Sequence, residues 1–190
     1  MMKYKAVLFD MDGTLLDTLT DLADAVNHIL SVHGYPLRTV EEVRIFVGNG
    51  ARRLMERALP PEVAGDAFEA LLEEYRVWYE AHTCVRTAPY PGVTAVLAAR
   101  FFPGLAAFGQ RDDIPAKPAP DMVYHALAEL GVDREDAAYV GDSEVDVALA
   151  RNAGLPLIAV SWGFRGRRAL EEAGAELVVD DAAQLLENVL

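Results

Sequence analysis

FDMDGTL, residues 9–15, sets two carboxylates, Asp10 and Asp12, one residue apart at the end of the apolar run AVLF, residues 6–9. A short continuous apolar run bounded by turn residues suits a strand of a parallel sheet covered on both faces. Gly13 and Thr14 then turn the chain. Acids at the carboxyl end of such a strand stand where open α/β sheets bind their ligands. Burying carboxylates without compensation is costly, so a cation or a dense set of hydrogen bonds is expected around them. Asp and Gly also build ordinary turns, so the stretch by itself leaves a solvated turn as the alternative.

DAAYVGDSEVD, residues 136–146, repeats the arrangement. Residues 137–140 form a short apolar run, Gly141 breaks it, and Asp142 stands at the strand end as Asp10 does. Asp146 follows one helical turn later if Ser143 or Glu144 opens a helix, so both carboxylates can face one point. Asp and Ser are also favoured N-caps, the plainer use for them. Between the two acid pairs lies AKPAPD, residues 116–121, whose Lys117 sits on a loop among Pro115, Pro118 and Pro120. A loop lysine is ordinarily a solvated charge. Its order in the chain, after one acid pair and before the other, suggests a counter-charge for them.

These segments resemble the haloacid dehalogenase-like phosphohydrolase superfamily, with FDMDGTL matching its first motif, Lys117 its third, and Asp142 with Asp146 in GDSEVD its fourth. The resemblance implies a Mg²⁺-dependent phosphatase that works through an aspartyl-phosphate on a small phosphorylated metabolite. By that resemblance Asp10 is nucleophile and metal ligand. Asp12 is general acid and base, its backbone carbonyl also reaching the metal. Lys117 holds Asp10 and the phosphoryl oxygens, and Asp142 completes the protein ligands. Ser143 and Asp146 stand behind these groups, and Thr14 contacts the substrate. Members that cleave carbon–halogen bonds lack an acid at the position of Asp12, so the resemblance points away from halide release. The chemistry suits these residue types. A carboxylate nucleophile divides hydrolysis into transfer to the enzyme and release to water. An all-oxygen site suits Mg²⁺, and a lysine adds positive charge where phosphoryl transfer requires it.

The remaining composition agrees. With 190 residues, 52% of them hydrophobic, the chain can bury one good core and a small accessory domain. A net charge of −13 disfavours nucleic acid or an anionic membrane as partner. No run approaches the roughly 20 apolar residues of a membrane span, and MMKYKAVLFD lacks a signal-peptide pattern, so a cytoplasmic location is expected. Cys84, the single cysteine, is expected as a small buried apolar residue.

Residues 17–87 carry four helical patterns. The first covers 19–30, with Thr18 and Asp21 as a capping signature and Gly34 as a stop; the others cover 40–46, 51–59 and 62–82. Helices inserted here resemble the family's cap domain, which closes over the site and excludes water. Helices over 92–100, 121–131 and 146–153 and strands over 155–160 and 177–179 follow. Residues 1–16 and 88–190 thus read as an α/β core, a Rossmann-like, doubly wound parallel sheet carrying the four-helix cap as an insertion. Arg165, Arg167 and Arg168 read as a solvated loop and helix start.

FVGNGARRLMERAL, residues 46–59, is similar to the cap of bacterial phosphoglycolate phosphatases, and SWGF, residues 161–164, to the loop after their penultimate core strand. By this likeness Gly48, Asn49 and Gly50 open a helix whose free N–H groups suit a small carboxylate, and Arg52 or Arg53 adds a cationic contact. An ordinary glycine turn with solvated arginines is the alternative. The substrate expected is 2-phosphoglycolate; a sugar-phosphate mutase or another small-metabolite phosphatase is the neighbouring possibility. One departure from the family favours a third, a non-catalytic binding protein. The family calls for a strand ending in Ser or Thr after the 92–100 helix, yet Arg100 is followed directly by FFPG. A strand with its crossover helix belongs to a unit of roughly 30 residues, and the chain is short of the pattern by about 20–25 residues at or near the Arg100–Phe101 junction.

Overall fold

The computed structural model describes residues 3–100, 104–109 and 113–189. Their contacts divide the chain into two compact units, one of residues up to Leu16 with Pro89 onward, the other Asp17–Ala88. Strands are β1 (Ala6–Phe9), β2 (Leu16–Asp17), β3 (Ala88–Pro89), β4 (Ala137–Gly141), β5 (Leu157–Val160) and β6 (Val178–Val179). The helices are α1 (Leu19–Val32), α2 (Val40–Phe46), α3 (Gly50–Ala58), α4 (Gly65–Ala81), α5 (Val93–Arg100), α6 (Asp121–Leu130), α7 (Glu144–Ala153), α8 (Gly166–Glu172) and α9 (Ala182–Val189).

In the first unit the strands run parallel in the order β1-β4-β5-β6. Side-chain alternation along β4 explains why both faces are covered. Ala137 and Tyr139 join a cluster with Val123 and Leu127 of α6 and Leu149 of α7. Val140 joins Ile158, Val160 and Val179 against Val96 of α5 and Leu185 of α9. Helices therefore lie on both sides of a parallel sheet, the α/β architecture the alternation of elements predicts.

The second unit is the helical insertion. Its core is built from Val26 and Leu30 of α1, Met55 of α3, and Leu72 and Tyr75 of α4, all buried. Thr39 and Glu42 form a reciprocal capping box at the start of α2. The chain leaves and re-enters the first unit through β2 and β3, which pair as a two-stranded sheet.

Several expectations need correction. Thr18 occupies the N-cap of α1, but its side chain caps nothing, and among the described residues its buried hydroxyl has no partner. Asp21 is taken elsewhere: its carboxylate accepts the Arg86 and Thr87 N–H groups and the Thr87 hydroxyl. Cys84 is exposed, in the left-handed region at φ 62°. The fourth helix starts at Gly65, after Pro60 and Pro61, and not at 62. β2, β3 and α9 were not foreseen, and Arg167 is bound to Asp180 and Glu171. Among the described residues no strand lies between α5 and α6, and residues 101–120 contain no Ser or Thr. The Arg100–Phe101 junction itself reaches outside the described residues.

Candidate active site

The site is made where β1 and β4 end side by side. The Asp10 N–H donates to the Val140 carbonyl at 2.8 Å, carrying the ladder one residue past β1. Asp10 and Asp142 thus leave adjacent strands together. Beyond Asp10 the turn closes through Leu15 and Leu16 N–H groups, both 3.0 Å from the Met11 carbonyl. Gly13 adopts φ +87°, and a Cβ there would lie 2.5 Å from Asp142 Oδ2. Gly163, just past β5, is equally confined: its Cβ would lie 2.3 Å from both Asp142 Cβ and the Gly13 carbonyl oxygen. Asp142 is therefore slotted between two backbones that approach only because both residues lack side chains. Its Oδ2 accepts the Phe164 N–H at 2.6 Å and its Oδ1 the Thr14 hydroxyl at 3.3 Å. Trp162 Nε1 donates to the Thr14 carbonyl at 3.0 Å, latching the SWGF loop to the turn.

Behind Asp142, Ser143 is the N-cap of α7 in a capping box with Asp146. Asp146 Oδ2 accepts the Asp142 N–H (3.2 Å), the Ser143 N–H (3.1 Å) and the Ser143 hydroxyl (2.6 Å). Its other oxygen faces Lys117 Nζ at 2.8 Å. Lys117 Nζ also lies 2.5 Å from Asp10 Oδ1. The lysine is thus the counter-charge its place in the chain suggests. Asp146 thus closes the cap with one oxygen and meets Lys117 with the other.

The electrostatics follow from crowding. Burial, then the nearby Asp146 charge, pushes the Asp10 carboxyl up to about 6 against the pull of Lys117. Burial and Asp146 likewise push Asp142 up to about 7, with the Phe164 N–H working the other way. Burial opposes the Lys117 ammonium, but Asp146, Tyr139 and Asp10 outweigh it and hold it above the ordinary lysine range. Carboxylate oxygens of Asp10, Asp142 and Asp146 lie within 4.8 Å of one another. Three clustered carboxylates with one lysine among them leave an excess of negative charge in a largely buried cluster of oxygens, which fits a hard divalent cation. Asp142 and Asp146 both have donors on each oxygen, Asp10 has Lys117 on one, and all three are placed to meet such an ion. The Asp12 carboxylate is half-buried and accepts no hydrogen bond among the described residues.

Gly48, Asn49, Gly50, Arg52 and Arg53 belong to the helical unit. Gly48 (φ 121°) and Gly50 (φ 77°) flank Asn49 at the start of α3. Arg52 makes a two-pronged ion pair with Glu69, both contacts 2.7 Å, over the ring of Phe68. Arg53 pairs with Glu56 at 2.6 Å. Sequence reasoning missed Gly163, Phe164 and Tyr139 as parts of the site. A glycine three residues past a buried strand was the available signal for the first two.

Residues 4–154 match the haloacid dehalogenase-like hydrolase family description. The chain belongs to that family. It is 31% identical, over 225 aligned residues covering 98% of this chain and 80% of the relative, to the phosphoglycolate phosphatase of Pseudomonas savastanoi pv. phaseolicola. That alignment is longer than the 190 residues here, so the relative carries residues with no counterpart in this chain. The N-acetylmuramic acid 6-phosphate phosphatase of Pseudomonas aeruginosa is 29% identical over 214 residues, 98% of this chain and 95% of its own. Among solved structures, a protein of Lactobacillus delbrueckii subsp. bulgaricus, provisionally named a phosphoglycolate phosphatase, superposes with a TM-score of 0.90 at 33% identity, covering 100% of this chain and 99% of that one. The chain is a hydrolase by family and stands among phosphatases by likeness. Among the described residues no helix is long and apolar enough to cross a membrane.

Proposed function

We propose that this protein hydrolyses small phosphomonoesters, 2-phosphoglycolate foremost, through an aspartyl-phosphate on Asp10. The observation that carries the reading is Lys117 bridging Asp10 and Asp146 beside Asp142, at the ends of two adjacent strands. Asp10, Asp142 and the Asp12 backbone carbonyl would hold Mg²⁺, which, when bound, neutralises phosphoryl charge and keeps Asp10 ionised. Lys117 orients the Asp10 carboxylate and adds positive charge to the phosphoryl oxygens. In the first step an Asp10 oxygen bonds to phosphorus as the ester P–O bond breaks, and Asp12 gives its proton to the departing oxygen. In the second, Asp12 takes a proton from water, whose oxygen attacks phosphorus and frees Asp10 and inorganic phosphate. The helical unit acts as a cap that excludes water, and the 48–50 turn with Arg52 or Arg53 reads a carboxylate. The acidic chain with its single cysteine suits the cytoplasm.

Asp10→Asn tests the reading: it should abolish phosphate release and labelling by beryllofluoride while keeping the fold, and EDTA should silence the wild type until Mg²⁺ is restored. Substantial turnover by Asp10→Asn would exclude the covalent route. Two other outcomes have specific support. The relative acting on N-acetylmuramic acid 6-phosphate, a carboxylated sugar phosphate, makes that compound the second substrate to assay. The missing hydroxyl between residues 101 and 120 favours a binding protein without turnover, which an inactive but phosphate-binding wild type would show.

A further inference from the structure

We infer that Tyr139 is a positioning residue that aims Lys117, and through it the Asp10 carboxylate; the inference rests on the phosphatase reading above. Tyr139 stands on β4 with its side chain in the core cluster shared with Leu149 and Val123, and it is 4% exposed. A tyrosine there would pack as well without its hydroxyl, and a buried hydroxyl needs a partner to offset its lost hydration. That partner is part of the site. Tyr139 Oη donates to Asp146 Oδ1 at 3.3 Å, the same oxygen that faces Lys117 Nζ at 2.8 Å. The Lys117 ammonium also lies 5.3 Å from the centre of the Tyr139 ring, within cation–π range.

The geometry gives the residue a task. A lysine ends a flexible four-carbon stem with a point charge, and its freedom must be removed for it to hold one direction. Two carboxylates alone leave the ammonium free to swing about the line joining them. The ring of Tyr139 supplies a third neighbour off that line. Its hydroxyl meanwhile restrains the Asp146 oxygen that anchors the lysine, while Ser143 and the Asp142 N–H hold the other oxygen. Lys117 is thereby aimed at Asp10 before substrate arrives, the pre-orientation on which positioning catalysis depends.

The test separates hydroxyl, ring and plain packing. Tyr139→Phe keeps volume and ring and should lower kcat roughly 3- to 10-fold, the range of one hydrogen bond, with KM unchanged. Tyr139→Leu also removes the ring and should lower kcat roughly 10- to 100-fold. In a Lys117→Met background, Tyr139→Phe should cost nothing further, because its effect runs through the lysine. An unchanged kcat in Tyr139→Phe, or a full additional loss in the Lys117→Met background, would overturn the inference. A second readout needs no turnover. The chain contains only Lys3, Lys5 and Lys117, so ¹³C-lysine labelling gives three ε-methylene signals, and Lys117→Met identifies the one that matters. Its protons should be shifted upfield by the ring in the wild type, and that shift should vanish in Tyr139→Leu. An unshifted wild-type signal would also overturn the inference. A shifted signal in an enzyme inactive on every phosphomonoester would instead leave the aiming intact and reject the phosphatase reading.

Discussion

Arg52 and Glu69 form a two-pronged ion pair inside the helical unit, Nη1 to Oε1 and Nη2 to Oε2 both at 2.7 Å. An arginine so engaged must leave a carboxylate of its own chain to receive one from a substrate. Arg53, held by Glu56 three residues on, has the weaker commitment, since exposed pairs of this spacing contribute little. Arg53→Ala should therefore lower kcat/KM for 2-phosphoglycolate roughly 10- to 100-fold, the range of a charge-assisted hydrogen bond, and spare an uncharged aryl phosphate. Arg52→Ala should affect both substrates alike. Equal losses on both substrates from Arg53→Ala would mean that Arg53 supports the helical unit rather than reading the carboxylate.

Mg²⁺ affinity should rise with pH. Asp10 is pushed up to about 6 and Asp142 up to about 7, so a cation must displace protons from them at lower pH. Calorimetry should show affinity climbing through that window and levelling above it. The same shifts set the sign for the metal-free fold. Groups whose folded values lie above the unfolded 3.8 bind protons more tightly when folded, so stability falls as pH rises from about 4 through about 7. Thermal melts in EDTA should show this fall, and Asp142→Asn should flatten it. An affinity independent of pH between about 5 and about 8 would remove these carboxylates from the metal site.

Gly163→Ala should damage the site from a position that bears no reactive group. The new Cβ would sit 2.3 Å from Asp142 Cβ and from the Gly13 carbonyl oxygen, neither a flexible side-chain end. We expect a loss of about 1–3 kcal/mol in stability from overpacking. Activity should fall further than that loss explains, because Asp142 must move. Wild-type melting and turnover in Gly163→Ala would show that the loop is not held as described.

Asp21→Ala should destabilise the helical unit although the residue lies in no reactive cluster. Its buried carboxylate accepts the Arg86 and Thr87 N–H groups at 2.9 Å, and both would lose their partner. The cost is about 1–3 kcal/mol, read from denaturant melts near neutral pH. Although burial opposes it, the Thr87 hydroxyl and these N–H groups hold the carboxyl below its ordinary 3.8. Its stabilisation is therefore complete above about pH 4 and lost as pH falls through the depressed value. An Asp21→Ala protein as stable as wild type would contradict this account.

The contrast between Asp142 and Asp21 shows what the amino-acid order discloses. Asp10, Lys117, Asp142 and Asp146 were legible because each follows an apolar run or a proline-held loop, so local pattern alone places it. The α/β core was legible for the same reason. Asp21 was misread as a helix cap because its partners, Arg86 and Thr87, are 65 and 66 residues away, and no local spacing announces them. Cys84 was misread because small apolar residues are usually buried, whereas its turn faces outward. Tyr139 looked like any strand aromatic. Only the three-dimensional register reveals that its hydroxyl meets Asp146 and its ring meets Lys117.

β2 and β3 have a consequence for how such a chain can change. Because the outgoing and returning segments are hydrogen-bonded neighbours, everything between them is a detour that starts and finishes at one place. Lengthening a closed detour carries only a slowly growing entropic penalty, and the parallel sheet is indifferent to what is strung on it. The helices could be exchanged for a different set while Asp10 and Asp142 keep their stations at the strand ends.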